Sequence, residues 1–413
     1  MQPVVLTICG DYWDSFIYKG RLYLWGYNEE LTIYNWDELI DYLIMRYSLE
    51  QYREAIDFSF KDGRIYYEKY PEDKRPYLKD QIIYLSQFAF ELNRDDLANF
   101  QCLSISNPFP ELATDIEVFN DVIYGGTDDG LFEALIDQNP FNFKVISNKQ
   151  KIWGETEVVR LKANYGGRLA LSTGPDGLFE LRLGDKYFGP NSFQVSNKHS
   201  SFADWNYSNI YSSSDDGLSF LALFEKIDTV EKVEKRQLNL DLIKSAWDKK
   251  ETFLEMGNVL SQKDLFNVNG HTMSWGNGNK IYLWDKNKVL KTDFLQYKAH
   301  ADSSSNDVID KIEVINLKSN YAQEIISAGV TYFGILVELE DRLLIIYESG
   351  KETMTYDLKL EVTKWRAFPR SVKYENQVHV VSEKSIKILS FNNDYFNDQK
   401  NKRLGMRFFK SSK

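Results

Sequence analysis

Short apolar runs of about four to eight residues, each closed by a polar turn, recur along most of this chain. Three segments read alike: YGGTDDGLFEAL ending at Leu135, LSTGPDGLFELRL ending at Leu183, and YSSSDDGLSFLAL ending at Leu223. Each sets one apolar strand before an Asp-Gly pair and another after it. Glycine accepts positive φ and aspartate tolerates the neighbouring turn position, so each segment predicts a tight hairpin. Their glycines, Gly130, Gly177 and Gly217, lie 47 and 40 residues apart.

Weaker copies extend the series, with turns near Asn28-Glu29 and at Asn277-Gly278, Ser349-Gly350 and Glu383-Lys384. That makes seven hairpins. A second series keeps step with the first, roughly seven to eleven residues upstream, the span of one short strand and its turn. Its members are Lys19-Gly20, Asn120-Asp121, Tyr165-Gly166, Asn206-Tyr207, Asn269-Gly270, Glu340-Asp341 and Glu375-Asn376. A multi-stranded unit repeated at this period predicts an all-β chain with helical insertions, a β-propeller of seven blades of antiparallel strands.

Two stretches change period. Residues 38–58 carry Leu39, Ile40, Leu43, Ile44, Tyr47, Tyr52, Ala55 and Ile56 at helical spacing. Residues 77–92 do so through Leu78, Ile82, Leu85, Ala89 and Leu92, after Pro76 as a helix start. GRIYYEKY, from Gly63, reads as a strand between them. A further helical excursion is expected near 240–256, and HADSSSND (His300 to Asp307) reads as a polar loop. The expected organisation is a first blade at 1–37, a mainly helical insertion at 38–105, the remaining blades at 106–395 and a basic tail at 396–413.

The hairpin SSSDDGLSFLAL, the segment NGNKIYLWDKN with Trp284-Asp285 and the segment LTIYNWDE with Trp36-Asp37 resemble the divergent WD40-like propeller superfamily. The resemblance implies a propeller whose inner turns, the second series above, form a partner-binding face. On that basis the candidate contacts are Lys19, Asn120, Tyr165, Tyr207, Asn269, Asp341 and Asn376.

Composition supports the all-β reading and narrows the chemistry. The 413 residues include 26 Tyr, 26 Phe and 9 Trp, which favour pleated, half-buried surfaces. A net charge of −11 opposes a nucleic-acid role, which needs a basic face to displace counterions. Two cysteines, Cys9 and Cys102, make no disulfide framework and fit a reducing, cytoplasmic setting. The N-terminal segment has no basic n-region and turns polar by Asp11, so it does not read as a signal peptide, and no apolar run is long enough to span a membrane.

The four histidines, His199, His271, His300 and His379, show no metal-ligand spacing. His300 with Asp302 and Asp307 is a loop arrangement that a divalent ion could use, and Asp-Asp-Gly turns offer oxygen ligands without an EF-hand series. No Walker loop, GxSxG elbow or HExxH is present. The expectation is therefore a non-enzymatic protein-interaction platform, a subunit or adaptor of a larger assembly, with no cofactor, no metal and no catalytic residue. The alternative is a propeller that binds or hydrolyses a carbohydrate-like molecule by stacking Trp13, Trp153, Trp205 and Trp275 on sugar rings.

Overall fold

Backbone angles at the turns show how the sequence makes its hairpins. Lys19 and Gly20 have φ of 46° and 74°, and Asn120 and Asp121 have 51° and 62°. Two successive positive angles form the tight turn whose twist matches the flanking strands. In a computed structural model, which describes residues 2–139, 143–154, 156–183, 191–214, 217–228, 252–268, 273–285, 288–296, 299–300, 302–317, 325–349, 352–358 and 362–396, such hairpins build seven sheets.

The chain divides into two units, residues 1–158 with 321–413, and residues 159–320. In the first unit the elements run β1 (Val4–Cys9), β2 (Tyr12–Tyr18), β3 (Arg21–Gly26), β4 (Glu30–Asn35), α1 (Trp36–Arg46), α2 (Arg53–Phe60), α3 (Gly63–Lys69), α4 (Arg75–Leu85), β5 (Ala89–Leu92), α5 (Arg94–Ala98), β6 (Gln101–Ser106), β7 (Asp115–Phe119), β8 (Val122–Thr127), β9 (Gly130–Asp137) and β10 (Lys144–Trp153). The second unit holds β11 (Arg160–Asn164), β12 (Arg168–Ser172), β13 (Leu178–Arg182), β14 (Asn191–Ser196), β15 (Phe202–Asn206), β16 (Asn209–Ser213), β17 (Ser219–Asp228), β18 (Thr252–Ser261), α6 (Gln262–Phe266), β19 (Ser274–Asn277), β20 (Lys280–Asp285), β21 (Lys288–Asp293), α7 (Ser305–Val308) and β22 (Glu313–Asn316). The first unit resumes with β23 (Ile325–Val330), β24 (Gly334–Leu339), β25 (Arg342–Ser349), β26 (Glu352–Leu358), β27 (Lys364–Ala367), β28 (Gln377–Ser382), β29 (Ser385–Ser390) and α8 (Asn393–Phe396).

The sheets are β2-β3-β4-β6, β10-β9-β8-β7, β23-β24-β25-β26 and β27-β28-β29-β1-β5 in the first unit. The second unit has β11-β12-β13-β14, β15-β16-β17-β18 and β19-β20-β21-β22. Every sheet contains a four-stranded antiparallel set, and together they are the blades of a seven-bladed β-propeller. The middle strands β12 and β16 are buried at every position. Because both faces of such a strand are covered, its sequence does not alternate apolar and polar, as in Leu169-Ala170-Leu171 of β12.

One strand is contributed across the length of the chain. β1 pairs antiparallel with β29, from Val4 opposite Ser390 to Cys9 opposite Ser385. Residues 1–37 therefore hold parts of two blades, where one was expected. β5 then adds to β1 in parallel, from Val5 opposite Ala89 to Ile8 opposite Leu92, as a fifth strand.

Residues 36–98, between β4 and β6, form the helical insertion. Asn35 caps α1 by accepting from the Glu38 N–H, and Leu39, Ile40, Leu43 and Ile44 form its buried stripe. The helical reading of 77–92 holds as far as Leu85. Ala89 to Leu92 then alternate exposed and buried, a period of two, and pair with β1. GRIYYEKY is corrected from strand to helix α3. A short apolar run does not separate the two by periodicity, and the packing of Tyr67 on Tyr395 and Phe396 at centroid distances of 5.6 and 5.7 Å belongs to the helical form.

The insertion packs on the last blade through the end of α2, whose final carbonyls have no partner within the helix. The Ser59 carbonyl accepts from Asn376 Nδ2 (3.3 Å), Gln377 Nε2 (3.3 Å) and Ser390 Oγ (2.8 Å). The Phe60 carbonyl accepts from Gln377 Nε2 (2.8 Å) and Trp36 Nε1 (2.6 Å). Side chains of the blade thus serve as the cap of the helix.

The helical excursion expected near 240–256 is also corrected where it is described. Residues 229–251 lie outside the described residues, and Thr252–Ser261 is strand β18, paired with β17 from Asp228 opposite Thr252. A long neighbouring strand overrides the local helical period. In the expected polar loop, Ser304 and Asp307 make a capping box that starts the single-turn α7. The basic tail from residue 397 onward lies outside the described residues.

β5 has an open edge, and a single hydroxyl closes its outward backbone. Tyr47 Oη donates to the Glu91 carbonyl and accepts from the Glu91 N–H, both at 3.0 Å. Exposed strand edges template pairing with other chains, and this contact blunts one. Tyr47→Phe should cost about 1 kcal/mol and speed amide exchange at Glu91, as read by hydrogen exchange. Unchanged protection there would show that the hydroxyl does not hold the edge.

Candidate functional site

Five of the seven expected contact residues lie where the first and second strands of a blade connect: Lys19, Asn120, Tyr165, Tyr207 and Asn376. Their surroundings differ. Lys19 Nζ lies 2.8 Å from both carboxylate oxygens of Asp121 and 5.3 Å from the Tyr18 ring centroid. The Asp121 N–H donates to Tyr18 Oη at 3.1 Å, so in the first unit Lys19 and the Asn120-Asp121 turn tie two blades together. Being exposed, this ion pair is worth at most about 1 kcal/mol.

Tyr207 is half-buried in the second unit. Its carbonyl accepts from Asn164 Nδ2 at 2.6 Å, its ring lies 6.3 Å from Phe294, and burial pushes its hydroxyl up to about 12. Asn376 is fully buried and holds the end of α2. Tyr165 is exposed at 62%.

Two residues depart from the expected series. Asn269 lies outside the described residues, and the first connection of its blade is Gly278-Asn279, with Gly278 at φ 56°. The Asn277-Gly278 turn is thus reassigned from the Asp-Gly hairpin series to the series of Lys19 and Asn120. Asp341 stands at the second connection of its blade, between β24 and β25, where Arg342 holds it at 2.6 and 2.8 Å. The first connection there is Thr331-Tyr332-Phe333, closed by Thr331 Oγ1 donating to the Gly334 carbonyl at 2.9 Å. Its bulky residues carry no turn signature, which is why the sequence series slipped by one hairpin.

The rings proposed for sugar stacking are mostly interior. Trp153, Trp205 and Trp275 are buried, and Arg168 covers Trp205 at 4.7 Å. Trp13 is half-buried; its Nε1 donates to the Ala113 carbonyl, and Lys364 Nζ sits 5.1 Å from its ring.

Beside Trp13 is a network that sequence reasoning missed. Asp14 on β2 is fully buried and accepts from Arg366 Nε at 2.6 Å, with Lys364 Nζ 3.0 Å away. Arg366 also reaches Asp115 on β7 at 2.8 Å. Burial pushes the Asp14 carboxyl up, but Arg366 and Lys364 together outweigh it and hold it below the usual range. Ser15 Oγ lies 2.8 Å from His379 Nδ1, and burial, aided by Arg366, lowers His379 to about 3. Charges of both signs meet here within closed strands, an arrangement that joins three blades of the first unit. Among the described residues no three His, Cys, Asp or Glu side chains converge as a metal site.

Among the described residues, a group of exposed large apolar side chains lies on the insertion. Exposed there are Met45 (64%), Tyr77 (60%), Phe88, Tyr84, Tyr47 and Ile83. Ring contacts link the exposed aromatics through the half-buried Tyr52 and the buried Phe90: Tyr52 stacks on Tyr84 at 4.9 Å, Tyr84 meets Phe88 at 4.9 Å, Phe88 meets Phe90 at 6.4 Å, and Tyr47 meets Phe90 at 5.3 Å. α4 buries Leu78, Ile82 and Leu85 on one side while Tyr77, Ile83 and Tyr84 remain in solvent on the other. That second apolar stripe was the available sequence signal, hidden because one amphipathic face already explained the helix.

No family description matches the sequence, and no curated protein matches it. Among solved structures, the chain is similar to BBS1N in complex with ARL6DN, at 8% identity over 95% of this chain and 98% of that one, TM-score 0.45. It is similar to a chain of the mitotic checkpoint complex at 9% identity over 66% and 74%, TM-score 0.38. A candidate 6-phosphogluconolactonase from Bacteroides uniformis ATCC 8492 matches at 9% identity over 68% and 80%, TM-score 0.42. Likenesses of this size carry no argument about function.

Proposed function

We propose that this propeller is a protein-interaction platform and that its helical insertion is the element that engages a partner. The exposed rings of Tyr84, Phe88 and Tyr47, linked through the buried Phe90 and flanked by the half-buried Tyr52, carry the reading. Exposed contiguous apolar surface costs solvation, and patches of this kind mark interaction sites. Tyrosine and phenylalanine supply large contact area for little lost side-chain entropy. Tyr165 is a secondary contact candidate in the second unit. The chain acts as a subunit or adaptor without a reaction of its own, and the free thiols of Cys9 and Cys102 agree with a cytoplasmic setting. No helix is long and apolar enough to cross a membrane among the described residues.

The test is affinity capture from native extract with the wild-type chain and with a Tyr84→Ala, Phe88→Ala double variant. Truncating a central aromatic anchor costs about 2 kcal/mol or more at an interface. The double variant should therefore lose at least roughly tenfold of a partner that the parent retains. Equal recovery of every partner by both chains would overturn the assignment to this surface.

A further inference from the structure

We infer that the partner presents arginine side chains beside apolar residues, and that Tyr77, Asp80 and Tyr84 form the pocket for one of them. This rests on the interaction reading above and narrows it. Asp80 follows Tyr77 by three residues and precedes Tyr84 by four, so all three share one face of α4. All three are exposed, and among the described residues no cation is paired with Asp80.

The insertion shows what such groups hold when they are filled from within. Arg53 reaches Glu50 with Nε at 2.9 Å and Nη2 at 2.8 Å, next to Tyr52. Arg75 lies over the Tyr67 ring at 4.3 Å, and Arg46 over the Tyr47 ring at 6.0 Å. Each pairs a guanidinium with a tyrosine ring, a neighbouring carboxylate, or both. Tyr77, Asp80 and Tyr84 are the same chemistry without its cation. Planar guanidinium stacks on rings and forks onto carboxylates, so arginine fits better than lysine.

Charge and backbone narrow the partner further. Residues 36–100 carry fourteen Asp and Glu against nine Lys and Arg, within a chain of net charge −11, so a basic surface is complementary. Addition of an extended peptide to β5 is disfavoured because Tyr47 occupies the outward backbone of Glu91. What remains is a ridge, such as one face of an amphipathic helix, with arginines flanking its apolar positions.

The full-length chain would be titrated with three fluorescent helical peptides that share a leucine face and differ only in carrying arginine, lysine or glutamate beside it. The arginine peptide should bind, the lysine peptide several-fold more weakly, and the glutamate peptide not measurably. Asp80→Lys, at an exposed position that leaves the fold unchanged by circular dichroism, should weaken the arginine peptide about tenfold. No binding by the arginine peptide, equal binding by the glutamate peptide, or indifference to Asp80→Lys would each overturn the inference. The interaction reading would stand or fall separately, on the Tyr84 and Phe88 capture experiment.

Discussion

Asp14→Ala should destabilise the chain by about 3–5 kcal/mol in urea unfolding followed by tryptophan fluorescence, because it removes the carboxylate that both Lys364 and Arg366 contact and leaves two buried cations under-compensated. Both are buried, at 6% and 5% exposure, and Asp14 at 0% cannot be replaced by water without opening the strands. An exposed carboxylate such as Asp128 is the control, where alanine should change stability by less than about 0.5 kcal/mol. A loss at Asp14 no larger than at Asp128 would mean that the buried network contributes nothing to the fold.

The same network sets the acid response, with two windows of one sign. His379 is neutral when folded, lowered to about 3, while an unfolded histidine titrates near 6.5. The unfolded chain binds the proton first. This contribution is therefore present above about pH 6.5 and lost as pH falls from there through the folded value. Asp14 is also depressed, so its contribution is present above the ordinary carboxylate value near 3.9 and lost below it. Stability should decline from about pH 6.5 and more steeply below about pH 4. His379→Gln should remove the first decline and leave the second. A wild-type profile flat between pH 6.5 and 4.5 would refute the assignment to His379.

Gly130→Ala and Gly177→Ala should each cost about 2–3 kcal/mol, the other large effect expected of single substitutions. Their φ angles are 121° and 100°, a region that side-chain-bearing residues rarely adopt. An added Cβ would also run into backbone, the Trp153 carbonyl at Gly130 and the Ser196 carbonyl at Gly177. Backbone oxygens of a paired strand cannot rotate aside as a side chain would. Alanine at Gly166, whose φ is 77° but where a Cβ meets nothing within 4 Å, should cost less, since only the strain remains. Equal losses at the three positions would show that the close approach is not what selects glycine.

These glycines mark the boundary between what was legible and what was not. Gly130, Gly177 and Gly217 announced hairpins because a turn with positive φ restricts residue choice strongly and locally. From them followed the strands, the repeat and the number of blades, while the helical reading of residues 38–58 came from apolar spacing. The turn at Thr331-Tyr332-Phe333 gave no such signal, since its geometry is held by Thr331 on Gly334 and not by residue type. The register of one blade was lost with it. GRIYYEKY and residues 252–256 were misassigned for the related reason that neighbours decided a short or ambiguous run.

The contents of the two polar and aromatic sites were illegible for another cause. Asp14, Asp115, Lys364, Arg366 and His379 are separated by up to 365 residues and meet because three blades bring their strands together. Tyr47 and Tyr52 were read into the apolar face of residues 38–58, and Tyr84 and Phe88 fell outside the stripe that already explained α4. Sequence by itself determined the repeated hairpin, since turn chemistry and strand patterning act over a few residues. Tertiary structure alone decided that β1 closes the last blade, that buried charges balance across strands, and that one face of α4 stays in solvent. Those outcomes depend on which surfaces remain uncovered after the blades have packed, a property that no local stretch of chain contains.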